Sequence, residues 1–326
     1  MLWFRKKAKS ESRVGVVVGP DQVTVAHVEM RLGRPHLLNC RNVAIDSGKV
    51  VPHVLSRLVK ELSLEGQRCN FVLAPQDYHL HLIEAPAVEE SELRSAARWK
   101  VKDLLDGKPE DVAIDLFRVP KQAYRGRDML YVVAARKARI REIASLIDDC
   151  DLVLESIDIP ELVLRNIATQ FIGDEEGVAF MDLRGGGSTM NITCGGELFL
   201  SRRINSKLDA NIMQAPDWAA TKARLVMEIQ RSLDYYESQM CQSPPKSLVL
   251  VQRRYDGAAL AETLSEELGT PVLVLDLEDG MSSDVRLPPE LQQVASIAVG
   301  ATLRELAPPL SSSAGGSVTG ATEVAA

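Results

Sequence analysis

The sequence predicts a two-lobed α/β fold with a smaller unit inserted between its halves. Three observations carry that expectation. An order of strand, hairpin, strand and helix occurs twice along the chain. A separate run of strands and amphipathic helices lies between the two copies. The length, 326 residues, corresponds to about two domains and buries a large core without disulfide staples.

The first copy opens with the apolar run Val14–Val18 and continues through Val23–Met30. A turn at Gly33-Arg34-Pro35 leads into His36–Val43. β-Branched runs bounded by turn residues read as strands. Val54, Leu55, Leu58, Val59 and Leu62 then recur at helical spacing. In the second copy the strands are Gly177–Leu183, Ser188–Cys194 and, after Gly195-Gly196, Glu197–Ile204. The helix Lys222–Met240 follows, with Leu225, Ile229, Leu233, Tyr236 and Met240 on one face.

Between the copies, Phe71–Ala74 and Tyr78–Ile83 read as strands, and Glu89–Leu105 as a helix with an acidic start that suits its positive end. Leu93, Ala96, Ala97, Val101 and Leu104 form the apolar face of that helix. Val112–Val119 and Met129–Ala135 are strands, Arg139–Ile147 a helix and Leu152–Ile157 a strand. Beyond the second copy come strands Leu248–Val251 and Val272–Leu277, the helix Ala258–Leu268 and a last helix, Leu291–Leu306. The organisation expected is a basic, aromatic segment at 1–12, a first lobe at 13–70 that also receives helix 291–307, the inserted unit and return at 71–150, a second lobe at 151–290, and a disordered tail at 308–326.

Composition narrows the function. A formal charge of −7 argues against a nucleic-acid-coating protein, which needs clustered basic charge. The five cysteines are scattered, with neither zinc-ligand spacing nor a disulfide framework, and read as small buried residues. No run is long and apolar enough to span a membrane. At the start, Leu2, Trp3 and Phe4 precede Arg5, Lys6, Lys7 and Lys9, the reverse of a signal peptide's order, so a cytoplasmic chain is expected. The same segment, residues 1–9, suits a weak contact with an anionic membrane surface. His79 and His81 share a strand face but lack a third ligand, so no metal site is expected. Gly48-Lys49 lacks the frame of a phosphate-binding loop, and there is no G-x-S-x-G or H-E-x-x-H. The doublets Arg202-Arg203 and Arg253-Arg254 read as solvated turn residues.

Three segments carry a resemblance. Glu90–Pro120 (ESELRSAARWKVKDLLDGKPEDVAIDLFRVP), Glu228–Glu237 (EIQRSLDYYE) and Val299–Arg304 (VGATLR) resemble the PilM/MshI family of type IV pilus biogenesis proteins, with Trp99–Leu104 nearest to its MshI branch, that of MSHA pilus systems. The resemblance implies an actin-like, ribonuclease H-like duplicated fold, shared with FtsA, heat-shock ATPases and sugar kinases, carrying an inserted FtsA/PilM-type subdomain. It implies a cytoplasmic assembly protein, held at the inner membrane by docking the cytoplasmic tail of a PilN/MshJ-like membrane protein. The groove it implies lies between the first lobe and the inserted unit, on surfaces from Phe71 to Val119, with Leu82 and Trp99 as candidate contacts.

The resemblance also implies a nucleotide cleft, but its residues are altered here. In the first hairpin Val17 stands where the family places an aspartate, and valine cannot bind a hydrated cation. The second hairpin keeps Asp182, Gly185, Gly186, Gly187, Ser188 and Thr189, whose backbone N–H groups and hydroxyls could hold a phosphate. At the third element Gln252-Arg253-Arg254-Tyr255 replaces a glycine pair, and its bulk fills the approach that glycines leave open. The expectation is a scaffold with a vestigial nucleotide site, neither enzyme nor cofactor-bound. The alternative is an actin-like ATPase that binds Mg-ATP and regulates pilus assembly.

Overall fold

The computed structural model describes residues 12–46, 50–105, 107–184, 188–206, 208, 211–240, 243–253 and 255–304. The N-terminal aromatic and basic residues, the tail at 308–326, and Gly185, Gly186 and Gly187 lie outside these.

The first copy comprises β1 (Ser12–Val18), β2 (Gln22–Arg31), β3 (Arg34–Ala44), α1 (Val51–Glu61) and β4 (Arg68–Val72). The inserted unit is β5 (Tyr78–Glu84), α2 (Glu90–Val101), β6 (Val112–Arg118) and β7 (Met129–Arg136). The chain returns through α3 (Lys137–Asp149), β8 (Val153–Asp158) and α4 (Pro160–Ile167). The second copy is β9 (Val178–Asp182), β10 (Ser188–Cys194), β11 (Glu197–Ile204), α5 (Trp218–Met240), β12 (Ser247–Leu250), α6 (Gly257–Leu268) and β13 (Val272–Val274). α7 (Leu277–Gly280), β14 (Ser282–Ser283) and α8 (Pro289–Thr302) close it.

The duplication is explicit in the sheets. One runs β14-β3-β2-β1-β4-β8 and the other β11-β10-β9-β12-β13, so the same strand order is built twice, with a three-stranded sheet β5-β7-β6 beside them. The second hairpin of each copy closes with a two-residue loop, Leu32-Gly33 between Arg31 and Arg34, and Gly195-Gly196 between Cys194 and Glu197. All four loop residues have positive φ, the geometry whose twist matches that of paired strands.

α4 and α8 exchange partners. α4 leaves the first sheet but packs against β10 and β11 of the second, whereas α8 follows the second copy and lies on β1 and β2. The two helices meet at Gly300, where a β-carbon would stand 2.6 Å from Val163 Cγ1. Asn70 Nδ2 donates to the Ala301 carbonyl at 2.8 Å and ties the end of α8 to β4.

Several elements depart from expectation. Phe71, grouped with the inserted unit, sits in β4, which pairs in parallel with β1 and β8 and so belongs to the first sheet. β8, assigned to the second lobe, is an edge strand of that same sheet. α2 ends at Val101 and a 3₁₀ turn follows, which turns Leu104 outward at 56% exposure instead of continuing the apolar face. The turn expected at Gly33-Arg34-Pro35 is Leu32-Gly33, and Pro35 is already in β3. α4 was not anticipated: it is short and buried on nearly every side, its polar residues Glu161 and Asn166 included.

Candidate functional site

Asp182 ends β9 and Arg253 follows β12, its parallel neighbour. The carboxyl ends of adjacent parallel strands are where open α/β sheets receive ligands. Here the chain's own side chains occupy the place. The Asp182 carboxylate is fully buried. Its Oδ1 accepts from Arg253 Nε at 2.7 Å, and its Oδ2 from Arg253 Nη2 at 2.8 Å and Arg184 Nε at 2.8 Å. Arg184 Nη2 also donates to Oδ2. Burial alone would raise the Asp182 pKa, but the guanidinium groups of Arg184 and Arg253 outweigh it and hold the carboxyl well below the usual range. Arg253 is therefore no solvated turn residue, contrary to the expectation for its doublet.

The other nucleotide-type residues are placed as follows. The Ser188 hydroxyl donates to the Ser206 carbonyl at 2.9 Å and accepts from the Arg184 N–H at 2.9 Å, so it is spent on its own hairpin. Thr189 faces a cavity of about 320 Å³ between β5, α4 and the β10–β11 hairpin, together with Tyr78, Leu82, Glu161, Arg184 and Arg203. Val17 packs beside α4 and α8 with the apolar core. These residues do not fit a nucleotide-bound magnesium. The retained carboxylate, Asp182, has both oxygens taken by guanidinium groups, and at Val17 the first hairpin presents an apolar side chain.

In that cavity the Tyr78 hydroxyl donates to Glu161 Oε2 at 2.6 Å, a contact between the inserted sheet and the start of α4. The Tyr131 hydroxyl accepts from the Ser201 N–H at 2.9 Å and joins the inserted sheet to the edge of β11. The inserted unit thus touches both lobes.

A second concavity runs along α3, where the inserted sheet meets the first lobe. A cavity of about 410 Å³ is floored by Val112, Ala134, Ala135 and Ala138 and walled by Arg136 and Arg139. Arg139 Nε reaches Asp77 Oδ2 at 3.1 Å across its mouth. Two further hollows share Ala138 and Arg141, one passing Lys108 and Asp111, the other Pro52, Leu146 and Asp149. Together they form an open groove with a narrow apolar floor and charged walls.

Leu82 and Trp99 are not brought together. Ile83 turns to the α2 side of the three-stranded sheet, while Leu82 packs toward the second lobe. Trp99 stands on the outer side of α2 at 69% exposure, with Lys102 Nζ 5.6 Å from its ring centroid. Among the described residues no group of three His, Cys, Asp or Glu side chains could hold a metal, and no helix is long and apolar enough to cross a membrane. The sequence reading missed the partners of Asp182. Arg184 lies two residues away, just past the end of β9, a signal that could have been used, whereas nothing local links Asp182 to Arg253.

The duplicated sheets, the exchanged helices and the inserted unit define an actin-like fold. The chain is similar to a chain of the PilM–PilN type IV pilus biogenesis complex, with a TM-score of 0.72 and 17% identity over 91% of this chain and 99% of that one. It is also similar to the cytoplasmic domain of EpsL, an inner-membrane component of the type II secretion system of Vibrio cholerae, with a TM-score of 0.50 and 11% identity over 88% of this chain and 94% of that one. No family model and no curated protein matches the sequence.

Proposed function

We propose that this chain is a cytoplasmic assembly component of a type IV pilus machine, of the MSHA type, that docks the cytoplasmic tail of a PilN/MshJ-like inner-membrane protein. The observation that carries the reading is the groove along α3. It lies between the inserted sheet and the first lobe and joins three adjoining hollows lined by alanines and by charged side chains. Extended peptides bind such clefts through backbone contacts, with a few side chains in pockets. A chain similar to this one over 91% of its length comes from a complex of PilM with PilN, which supports the choice of partner. The resemblance of Glu90–Pro120, Glu228–Glu237 and Val299–Arg304 supports the family, and that of Trp99–Leu104 supports the branch.

The test is binding of the N-terminal tail peptide of the cognate PilN/MshJ-like protein to the purified chain, followed by fluorescence anisotropy. Saturable binding that is lost in Ala138→Trp, which fills the groove from an exposed position, is the expected result. Deleting residues 1–9 should leave it intact. Leu82→Ala and Trp99→Ala serve as companions, and a loss at either would move the docking surface to that residue's side of the inserted sheet. A chain that ignores the peptide yet floats with anionic vesicles through residues 1–9 would replace docking with direct membrane contact.

A further inference from the structure

We propose that Arg253 is a built-in brace that holds the two lobes together across the cleft and makes their closed arrangement independent of any nucleotide or metal. The proposal stands apart from the docking reading and rests on one guanidinium group that reaches three acceptor atoms on two residues. Its Nε and Nη2 take the two oxygens of Asp182 at 2.7 Å and 2.8 Å, which ties the end of β12 to the end of β9. Its Nη1 donates to the Gln293 carbonyl at 2.9 Å. Gln293 lies in the first turns of α8, and α8 lies on the first sheet. A single side chain of the second lobe therefore grips the helix that packs on the first.

The planar fork of arginine suits this task, because it presents donors in fixed directions to a carboxylate while another N–H remains for a carbonyl. Arg184 closes the remaining side of Asp182, so no oxygen of that carboxylate is left for an incoming cation. The Tyr255 hydroxyl donates to the Val251 carbonyl at 3.2 Å and steadies the segment that carries Arg253. In a nucleotide-gated protein of this shape, the ligand would bridge the lobes from the carboxyl ends of the strands. In this chain the bridge is covalently part of the protein, and lobe closure has no ligand to wait for.

Amide hydrogen exchange and thermal melting of the full chain, each with and without Mg-ATP, test the brace. Neither readout should move when Mg-ATP is added to the intact protein. Arg253→Gln should speed exchange in the N-terminal half of α8 and at the end of β9 by about tenfold to a hundredfold, as expected for losing hydrogen bonds to a charged group. Because that variant leaves a buried carboxylate short of a partner, a second one guards against simple unfolding. It combines Asp182→Leu, Arg184→Met and Arg253→Met, which removes the whole ion cluster at once. It should melt near the intact protein yet keep the fast α8 exchange. A melting temperature of the intact chain that rises with Mg-ATP would overturn the proposal. So would α8 exchange in either variant as slow as in the intact chain.

Discussion

At Gly15 the backbone of β1 meets the backbone of α8 so closely that a β-carbon would stand 1.9 Å from the Ala298 carbonyl oxygen. Neither partner is a flexible side-chain tip, so Gly15→Ala has to push strand and helix apart. The expected cost is about 3 kcal/mol or more in urea unfolding. Gly19→Ala is the control, since the tightest contact of its β-carbon is the flexible Gln22 side chain at 3.3 Å, and it should shift stability by about 0.5 kcal/mol or less. Glu161 carries a prediction in pH. Burial raises its pKa, and the Tyr78 hydroxyl only partly counters this. The native state then holds the proton more readily than the unfolded chain. The contribution of Glu161 is therefore most favourable below its ordinary value of 4.5 and falls as pH climbs through the raised one. Glu161→Gln keeps an acceptor for Tyr78 and removes the titration. Its stability relative to the parent should rise across that window, by about 1.4 kcal/mol per unit of displacement. Asp182 acts oppositely: its pKa is depressed, so its contribution is lost only on acidification below the ordinary 3.8. At this scale the sequence marks Asp182 and the bulky Gln252–Tyr255 stretch as worth notice, but not Gly15. It does not show the contacts, because Ala298 and Arg253 come from parts of the chain far from the groups they meet.

Among the elements, those with a clean period were legible and those buried all round were not. α5 alternates faces over 23 residues, and four of its five anticipated face residues, Leu225, Ile229, Tyr236 and Met240, are buried. α4 has no wet face to reveal it, although Pro160 at its first turn and the spacing of Val163, Leu164 and Ile167 were signals. α2 falls between: its inner residues Leu93, Ala97 and Val101 pack on the inserted sheet, but the final turn unwinds and strands Leu104 outside. Leu93→Ala should cost about 2–5 kcal/mol, the price of a core cavity, while Leu104→Ser should stay within about 0.5 kcal/mol. Equal effects would mean that the 3₁₀ turn packs after all. The matched hairpins allow a stabilising change. Leu32 is fully exposed with φ of 51°, in the place that Gly195 takes in the second copy. Asparagine tolerates that region far better than leucine. Leu32→Asn should therefore raise the unfolding free energy by about 0.5–1 kcal/mol, and a loss would show that Leu32 makes contacts unseen in the isolated chain.

For the whole molecule, the duplication suggests two lobes that could unfold one after the other, and the contacts argue otherwise. α4 is carried by the first copy and packs on the second sheet, and α8 does the reverse, so neither sheet can lose its neighbour without exposing its own core. The inserted unit adds further ties. Tyr124, held at φ of 52°, is buried against the second lobe beside Tyr235, with ring centroids 6.3 Å apart, and Tyr131 receives the Ser201 N–H. A non-glycine residue kept in the left-handed region costs roughly 1–3 kcal/mol, which the burial of the tyrosine ring offsets. Unfolding should accordingly be one cooperative transition, with far-ultraviolet circular dichroism and tryptophan fluorescence coinciding in denaturant. Gly300 is where this can be perturbed, because a β-carbon there meets Val163 at 2.6 Å and Ile167 at 2.9 Å, at the crossing of the exchanged helices. Gly300→Val should lower the midpoint for both probes together, and speed hydrogen exchange in β4 of the first sheet as much as in β10 of the second. Two separated transitions, or faster exchange confined to one sheet, would mean that the exchanged helices do not couple the lobes and that each folds on its own.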